Sequence, residues 1–299
     1  MILVVGATDD PMVAGVAQTL GEREADFAFI SVHEIPGTVR LQLGTEGRDA
    51  LIFNEGVLDL QQVKGVYHRA GFAHWEVYED FNEAEVRFIN DECTASFTPW
   101  LNTAPGLVIN RPKASVSNGS KPYQLGIVAR QGFGVPDTLV TNHPGLVSEF
   151  FDKHNEKVIY KSISYIRSIV QKMTEEDLER LDTLNHGPVQ LQEQIEGFDV
   201  RVHVVGDRVF PCRIDSESSD YRYDKGSNLA PWEISDEVAE RCVAVTKELG
   251  LVISGVDLRI APDGRDYCFE VNPTPAFRWY EDRAGLPITD AICDLLCSA

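Results

Sequence analysis

Three oxygen-bearing side chains near the end of the chain, Asp257, Glu270 and Asn272, have types and spacing that could bind a metal ion. They flank Asp263-Gly264, a dipeptide typical of a two-residue β-hairpin turn. Asp257 lies six residues before this turn and Glu270 six residues after it. Such a turn predicts that the two carboxylates face each other on one side of the hairpin. Asn272 follows Glu270 by two residues and shares that side.

This acidic pair allows two interpretations. Like charges placed directly opposite each other destabilise a sheet. A hard cation held by the two acids and the amide oxygen removes that penalty, which predicts a magnesium site. The alternative is a solvated acidic face, because charged side chains are mostly exposed.

The bulk properties indicate a globular protein with a substantial core. The chain has 299 residues, of which 43% are hydrophobic and 25% charged. This length allows one large domain or two to three small ones. A net charge of −20 disfavours a nucleic-acid or anionic-membrane partner, which needs a basic patch. It permits a basic or zwitterionic acceptor.

The location of the protein is predicted from the absence of targeting signals. No apolar run is long enough to span a membrane, and the N-terminal MILVVGATDD lacks the basic start of a signal peptide. The six cysteines form no CxxC motif and mostly lie in apolar segments. We therefore expect reduced core cysteines in a cytoplasmic protein.

The order of predicted elements indicates an α/β N-terminal domain that ends near residue 110. Its strands are predicted at 1–5, 27–32, 40–43, 50–54, 65–67 and 107–110, and its helices at about 12–20 and 79–102. The middle of the chain adds strands at 138–141, 157–162, 167–173 and 188–195. The last third opens with a hairpin that turns at Gly206-Asp207, and residues 221–229 are predicted to form a polar loop.

Two lysines in the middle of the chain have positions suited to phosphate binding. Lys121 lies near a helix start, where the helix dipole and the ammonium group both attract anions. Lys161 ends an apolar strand and must either reach solvent or meet an anion. The alternative for both is an ordinary surface lysine.

A strand end followed by a second strand provides groups that could bind a nucleoside. The strand that closes at Glu193-Gln194-Ile195 exposes backbone groups able to pair with an adenine edge. Asp199 and Arg201 lie two residues apart on the next strand and share a face. The acid suits ribose hydroxyls and the arginine suits phosphate or carboxylate, whereas the alternative is a cross-strand ion pair.

Other nucleotide and catalytic motifs are absent from the sequence. It contains no GxxxxGK[ST], no GxGxxG and no GxSxG. The histidines are scattered without zinc spacing. His203, which alternates with valines, is predicted to be a hydrogen-bonded histidine within a sheet.

The order of Lys121, Lys161, the EQI strand end, FDVRV, GVD and FEVNP resembles the ATP-grasp superfamily of carboxylate–amine ligases. The segment GVDLRI…FEVNPTPAFRWYEDRAGLPI is similar to the metal-binding end of RimK-type glutamate ligases. QEQIEGFDVRVHVVGDRVF and DSESSDYRYDKG are similar to ligases that macrocyclise microviridin-type (graspetide) peptides. The resemblance covers residues 111–299. It implies an α/β (α+β) ATP-grasp fold, with a pre-ATP-grasp α/β domain at 1–110, a central lid subdomain at 111–192 and a C-terminal subdomain with the metal site at 193–299.

The resemblance also implies a role for each candidate residue. The nucleotide set is Lys121 and Lys161 for the ATP phosphates, Glu193 and Ile195 beside the adenine, and Asp199 for the ribose. The Mg²⁺ set is Asp257, Glu270 and Asn272. The catalytic set is Arg201 of the D-x-R step, facing the γ-phosphate or acyl phosphate, with Arg222 of DYR and Arg213. The Gly206-Asp207 turn pairs Arg201 with Cys212, so only a bulge would bring Arg213 to the same face.

The implied activity is ATP-dependent activation of a carboxylate as an acyl phosphate and its coupling to an amine, on a small molecule, an amino acid or a peptide. One alternative is a peptide macrocyclase that forms side-chain ester or amide links. Another, of a different class, is a nucleotide-binding regulatory module without ligase activity.

Two departures from the family stand out: KSISYIRSIV lacks a glycine-rich loop, and TPAF replaces the Gly-Gln pair that follows the macrocyclase EVNP-like motif. A lid of about residues 115–192 is expected to close over the intermediate, and a homodimer is the default oligomer.

Overall fold

The computed structural model describes residues 1–44, 48–54, 56–69, 81–163, 170–215 and 228–299. Within these ranges the chain forms four β-sheets flanked by helices. The α/β class predicted from the sequence is confirmed. Arg222 and most of the predicted polar loop, together with residues 164–169 of the segment after Lys161, lie outside the described residues.

The N-terminal part contains a parallel sheet and a smaller antiparallel one. Its elements are β1 (Ile2–Gly6), α1 (Pro11–Glu22), β2 (Phe27–Ser31), β3 (Arg40–Gln42), β4 (Ala50–Phe53), β5 (Gly56–Asp59), β6 (Gly65–Arg69), α2 (Glu83–Thr103) and β7 (Leu107–Ile109). The parallel sheet has the order β2-β1-β6-β7, and β3-β4-β5 form the small sheet. Strand β1 is buried along its whole length because helices cover both faces, as parallel sheets require.

Local capping explains where the two N-terminal helices begin. The Asp10 carboxylate accepts hydrogen bonds from the backbone N–H groups of Met12 and Val13, and Pro11 occupies the first turn of α1. Asn82 and Glu85 form a reciprocal capping box at the start of α2. Helix α2 therefore begins after its predicted start, where these caps satisfy the free N–H groups.

The middle part contributes a second antiparallel sheet. Its elements are α3 (Pro112–Ser115), α4 (Lys121–Arg130), β8 (Thr138–Thr141), α5 (Pro144–Lys153), β9 (Val158–Lys161), β10 (Gln171–Lys172), α6 (Glu175–Leu178) and β11 (Val189–Glu193). The sheet has the order β10-β9-β11-β8, and α5 packs against it. Helix α4 packs instead on the C-terminal sheet through Ile127 and Val128. The three-part division of the chain stays a prediction.

The C-terminal part holds the predicted metal hairpin in a five-stranded sheet. Its elements are β12 (Phe198–Val205), β13 (Arg208–Asp215), β14 (Asn228–Pro231), α7 (Asp236–Glu248), β15 (Ile253–Ile260), β16 (Asp266–Asn272), α8 (Arg278–Ala284) and α9 (Ile288–Ser298). The strand order is β14-β13-β12-β15-β16. One face packs against α4 and α7, and part of the other packs against α1, α8 and α9. Strands β5 and β14 had no counterpart in the sequence prediction.

The predicted two-residue turn at Asp263-Gly264 is wrong. The backbone N–H of Ala261 donates to Arg265 O at 2.9 Å, and the N–H of Gly264 donates to Ala261 O at 2.9 Å, which closes a three-residue loop. Pro262 has no N–H for a ladder bond and suits the first corner of a turn, while Gly264 adopts φ +84°. This is a turn followed by a left-handed residue, the usual three-residue hairpin loop.

The predicted pairing within the hairpin is nevertheless correct, because a second irregularity compensates for the different turn length. The pairing shifts by one residue between Asp257 and Leu258, where Phe269 is the extra residue of a bulge. Beyond the bulge, Asp257 pairs with Glu270, as predicted. The turn at Gly206-Asp207 has two residues, and its predicted pairing of Arg201 with Cys212 is confirmed.

All six cysteines carry free thiols, four of them buried. Burial raises the pKa of the Cys212 thiol to about 11 and that of the Cys242 thiol to about 12, so both are poor nucleophiles at neutral pH. None of the helices in the described ranges combines the length and the apolar character needed to cross a bilayer.

Candidate active site

The two acids of the predicted metal site lie side by side on β15 and β16. Asp257 pairs directly with Glu270, and Gly255 pairs with Asn272 one step further along the same face. The Asp257 side chain is 27% exposed, so a ligand can reach it. Two carboxylates and an amide oxygen suit Mg²⁺, which is usually held by one or two carboxylates together with substrate phosphates. In the part of the chain that is described, no cluster of three or more His, Cys, Asp or Glu side chains is arranged to hold a metal.

The Asn272 amide is oriented by the chain that follows it. Its Oδ1 accepts a hydrogen bond from the backbone N–H of Thr274 at 2.9 Å. This Asx-type contact forms a turn at the end of β16. The amide is therefore fixed on the acid-bearing face before any ligand binds.

Arg201 is the positively charged neighbour of the acid pair. Arg201 lies on β12 and pairs in register with Asp257 on β15. Its Nη1 donates to the Asp257 carboxylate. Only 5% of Arg201 is exposed. The guanidinium lies across the backbone of Gly255, where an added Cβ would lie 2.3 Å from Nη2. Glycine at this position leaves the room that Arg201 occupies.

The two predicted phosphate lysines are buried rather than on the surface. Lys121 is 3% exposed and Lys161 is 7% exposed. The Lys121 Nζ donates to Ser162 O at 3.3 Å, which places the start of α4 beside the end of β9. The Lys161 Nζ donates to the Gln192 side chain at 3.1 Å. The surface-lysine alternative is wrong for both, and their role as phosphate ligands stays a prediction.

Glu193 and Ile195 lie at the strand end predicted to border an adenine. The Glu193 carboxylate accepts a hydrogen bond from the backbone N–H of Asp137 at 3.0 Å and lies 3.6 Å from the Nδ1 of His154. The Asp137 carboxyl has a lowered pKa, mainly through its hydrogen bond from Lys153. The Glu193 side chain is thus held against the middle part of the chain, and its backbone N–H donates to Asp137 O at 2.9 Å. The adenine contact of Glu193 and Ile195 stays a prediction.

Asp199 takes part in the cross-strand ion pair that was the alternative to ribose binding. Its partner is Arg259 rather than Arg201: the guanidinium Nε and Nη2 each donate to one carboxylate oxygen at 2.8 Å. Arg259 also donates to Ile195 O at 3.0 Å. Sequence reasoning missed Arg259, although its place two residues after Asp257 puts it on the acid-bearing face.

The structure does not bring Arg213 to the acid pair. Arg213 pairs in register with Val200, whose side chain faces the opposite core. Its guanidinium lies 4.3 Å from the centre of the Phe198 ring, and its Nε donates to Asp215 at 2.8 Å. No register shift interrupts β12 and β13, so the bulge that would have redirected Arg213 is absent between these two described strands. Arg222 lies in the part of the chain that is not described.

Asn110 is a second residue that the sequence did not single out. It is buried, and its amide nitrogen donates to Ile253 O and Pro273 O, each at 2.7 Å. Its amide oxygen accepts from the backbone N–H groups of Val252 at 2.7 Å and Ile253 at 3.1 Å. One side chain therefore ties the end of the N-terminal sheet to β15 and to the chain just beyond Asn272.

His203 lies two residues after Arg201 on β12 and pairs with Gly255 of β15, but it is not the hydrogen-bonded histidine that was predicted. Its ring packs edge-on against Tyr280 with centroids 4.6 Å apart. Neither ring nitrogen has a hydrogen-bond partner among the described residues. Burial, and secondly the charge of Arg201, lower the pKa of His203 well below its usual value. The folded protein therefore keeps this imidazole neutral.

We expect the His203→Phe variant to be more stable than the wild type, and increasingly so in acid. Phenylalanine keeps the ring packing and removes two unsatisfied polar atoms, which should add about 1 kcal/mol or more. Because the folded pKa of His203 is depressed, the wild type loses stability as the pH falls below the unfolded value of about 6.5. Urea denaturation from pH 7.5 to pH 5 measures both effects. A variant whose stability falls with pH as steeply as the wild type's would contradict this assignment.

The described residues combine an N-terminal parallel sheet, a small antiparallel sheet beside it and two larger antiparallel sheets, and the C-terminal sheet carries the paired acids. The RimK-like ATP-grasp domain family matches residues 119–296, well over half of the sequence. The chain belongs to this family. The predicted family and the predicted fold are confirmed.

Individual relatives match this chain over different fractions of its length. The probable alpha-L-glutamate ligase 2 of Shewanella amazonensis is 25% identical over 185 residues, 58% of this chain and 61% of that protein, so the match spans about three fifths of that relative. The ATP-grasp ligase PsnB, solved with a minimal precursor, is 30% identical with a TM-score of 0.85, covering 99% of this chain and 98% of that one. A RiPP-associated ATP-grasp ligase of Chryseobacterium gregarium, solved with ADP and a leader and core peptide, has a TM-score of 0.87 at 24% identity over 99% and 96% of the chains, a likeness of fold.

Proposed function

We propose that this chain is an ATP-dependent ligase that activates a carboxylate of a peptide and joins it to an amine or hydroxyl of the same peptide. The observation that carries the proposal is the Asp257–Glu270 pair with Arg201 bonded to it on the accessible face of the C-terminal sheet. A peptide substrate is supported by the likeness to PsnB along nearly the whole of both chains, because PsnB has been solved with precursor peptides.

Three residues would hold the metal, and their own contacts prepare them for it. Asp257, Glu270 and Asn272 would bind Mg²⁺, which neutralises charge on the phosphoryl group during its transfer. The hydrogen bond from Arg201 fixes the orientation of the Asp257 carboxylate, and Thr274 fixes that of the Asn272 amide.

The remaining charged groups suit a reaction that needs positioning more than a protein nucleophile. A substrate carboxylate oxygen attacks the γ-phosphorus of ATP, the bond to the bridging oxygen breaks, and ADP leaves. An amine or hydroxyl then attacks the acyl carbon, inorganic phosphate leaves, and the proton of the nucleophile passes to phosphate or solvent. Buried Lys121, Lys161 and Arg201 supply positive charge where phosphate charge develops. Their burial strengthens these interactions.

A second candidate is a ligase that adds free glutamate to a small or peptide acceptor. It is favoured by the curated relatives, which carry the name probable alpha-L-glutamate ligase. The two candidates share the activation step and differ in the acceptor. Intramolecular linkage removes one water from the peptide, whereas glutamate addition increases its mass.

We expect ADP release and carboxylate activation when the chain is incubated with ATP, Mg²⁺ and a suitable peptide. The screen would include free amino acids, dipeptides and precursor peptides such as PsnA2, with hydroxylamine as a trap. An acyl phosphate intermediate predicts a peptide hydroxamate, and mass spectrometry without the trap should reveal the loss of one water per link.

The other outcomes separate the alternatives. A mass gain of one glutamate residue would favour the second candidate over the first. ADP release without any acyl capture, or nucleotide binding without turnover across the whole screen, would count against ligase activity and favour a nucleotide-binding module.

A further inference from the structure

Gln124 is a buried side chain of α4 that binds both backbone groups of Val271. Its Nε2 donates to Val271 O at 2.8 Å, and its Oε1 accepts from the N–H of Val271 at 3.2 Å. Only 1% of Gln124 is exposed. Val271 is the residue between Glu270 and Asn272, so one amide holds the backbone between two predicted metal ligands.

The position of β16 explains why this contact is needed. β16 is an edge strand, and in an antiparallel pair successive residues direct their backbone groups alternately toward the partner strand and away from it. The backbone groups of Val271 point outward, and Gln124 satisfies them as a neighbouring strand would. Further along the same edge, Gly134 bonds to Asp266 O and to the N–H of Cys268, each at 2.9 Å.

Gln124 also shares its helix with a predicted phosphate ligand. Lys121 precedes it by three residues, so both side chains lie on the same face of α4. The helix packs on the sheet through Ile127 and Val128 as well, but apolar packing is non-directional and tolerates small shifts. The two hydrogen bonds to Val271 are directional and fix one position of the helix along the strand.

We infer that Gln124 is a positioning residue that sets the register between Lys121 on α4 and the metal ligands Glu270 and Asn272 on β16. The inference rests on the proposed function, because it presupposes that these residues bind the phosphates and the metal of one nucleotide. Loss of the two hydrogen bonds would let the helix and the strand move apart. The affinity of the nucleotide would then depend less on Mg²⁺.

Calorimetric titration of ADP into the full chain, with excess Mg²⁺ and with EDTA, tests this coupling. In the wild type we expect Mg²⁺ to tighten ADP binding. Methionine has a similar length to glutamine but makes neither hydrogen bond. In Gln124→Met we expect the ratio of the ADP affinity in Mg²⁺ to that in EDTA to fall at least about tenfold, while the affinity in EDTA itself changes little. If that variant does not fold, Gln124→Asn carries the same amide one methylene short of Val271 and should lose the tightening too.

Thr246→Val is the matched control for lost stability. Thr246 is a buried polar residue of α7 on the same face of the sheet, bonded to Ser254 Oγ at 2.6 Å and to Cys242 O at 2.8 Å. It should lower the melting temperature and keep the effect of Mg²⁺. The inference would be overturned, and the proposed function would stand, if Mg²⁺ tightened ADP binding equally in the wild type and both Gln124 variants. The same holds if Thr246→Val lost the effect of Mg²⁺ as fully as the Gln124 variants do. A wild type without Mg²⁺-dependent ADP binding would overturn the proposed function together with it.

Discussion

The Glu270→Gln variant should lose ligase turnover almost completely while keeping its fold. Glutamine has the shape of glutamate but lacks the charge that, with Asp257 directly opposite, is expected to bind Mg²⁺. Several kcal/mol of charge stabilisation would be lost, so we expect turnover to fall by about 10²–10³-fold or more. The rate of ADP release with saturating substrate measures the effect.

The thermal stability of the same variant should not fall with its activity. Removing one of two facing carboxylates relieves a repulsion of about 0.2–1 kcal/mol, so thermal unfolding without metal should be unchanged or slightly raised. Glu237→Gln is the matched control, because the Glu237 side chain is 83% exposed on α7. Its turnover should equal that of the wild type. Turnover that survives in Glu270→Gln would show that the metal assignment is wrong.

The Gly255→Ala variant should also lose activity, although no reacting group is removed. The added methyl carbon would lie 2.3 Å from Nη2 and 2.5 Å from Cζ of Arg201, so the guanidinium must leave its place beside Asp257. Displacing a positioned charge by about 1 Å can cost about 10²-fold in rate. Crowding at this buried position should also lower the free energy of unfolding by about 1–3 kcal/mol. Steady-state ADP release and urea denaturation measure the two effects.

Gly126→Ala separates this steric effect from a general effect of replacing glycine. Gly126 lies inside α4, and an added Cβ there would meet nothing within 4 Å. Alanine in a helix interior is favoured over glycine by about 0.5–1 kcal/mol, so this variant should be slightly more stable and fully active. If Gly255→Ala behaves like Gly126→Ala, the location of Arg201 is unimportant for the reaction.

The acid pair illustrates how far spacing alone can reach. The sequence predicted the facing of Asp257 and Glu270 from a turn that does not form, and the bulge at Phe269 shifted the register back by one residue. Turn length and bulge position each depend on how the strand meets its neighbours. Pro262 marks the longer loop in the sequence, but no residue pattern marks the bulge, so the prediction was correct only because the two irregularities cancel. The Gly206-Asp207 hairpin has no bulge, and there the predicted pairing of Arg201 was confirmed.

Residues that act through long-range contacts were the ones that sequence reasoning missed. Asn110 bonds to backbone groups of residues 252, 253 and 273, and Gln124 to those of residue 271. A buried amide far along the chain from its partners has no periodicity to reveal it. A cross-strand ion pair of Asp199 was the stated alternative, but its partner Arg259 was missed for a related reason, since the register of β12 with β15 joins strands about sixty residues apart.

The sequence by itself determined the family, the α/β class and the types of the side chains in the candidate site. The family came from a resemblance carried by the order of the motifs along the chain, whereas the α/β class came from strand and helix periodicity, which is a property of neighbouring residues. Only the tertiary structure decided which charges meet: Arg201 joins Asp257, Arg259 joins Asp199, Arg213 faces the opposite core, and both lysines are buried. Those choices depend on how strands distant in sequence align and on which space remains between packed side chains. Spacing along the chain does not encode either of these.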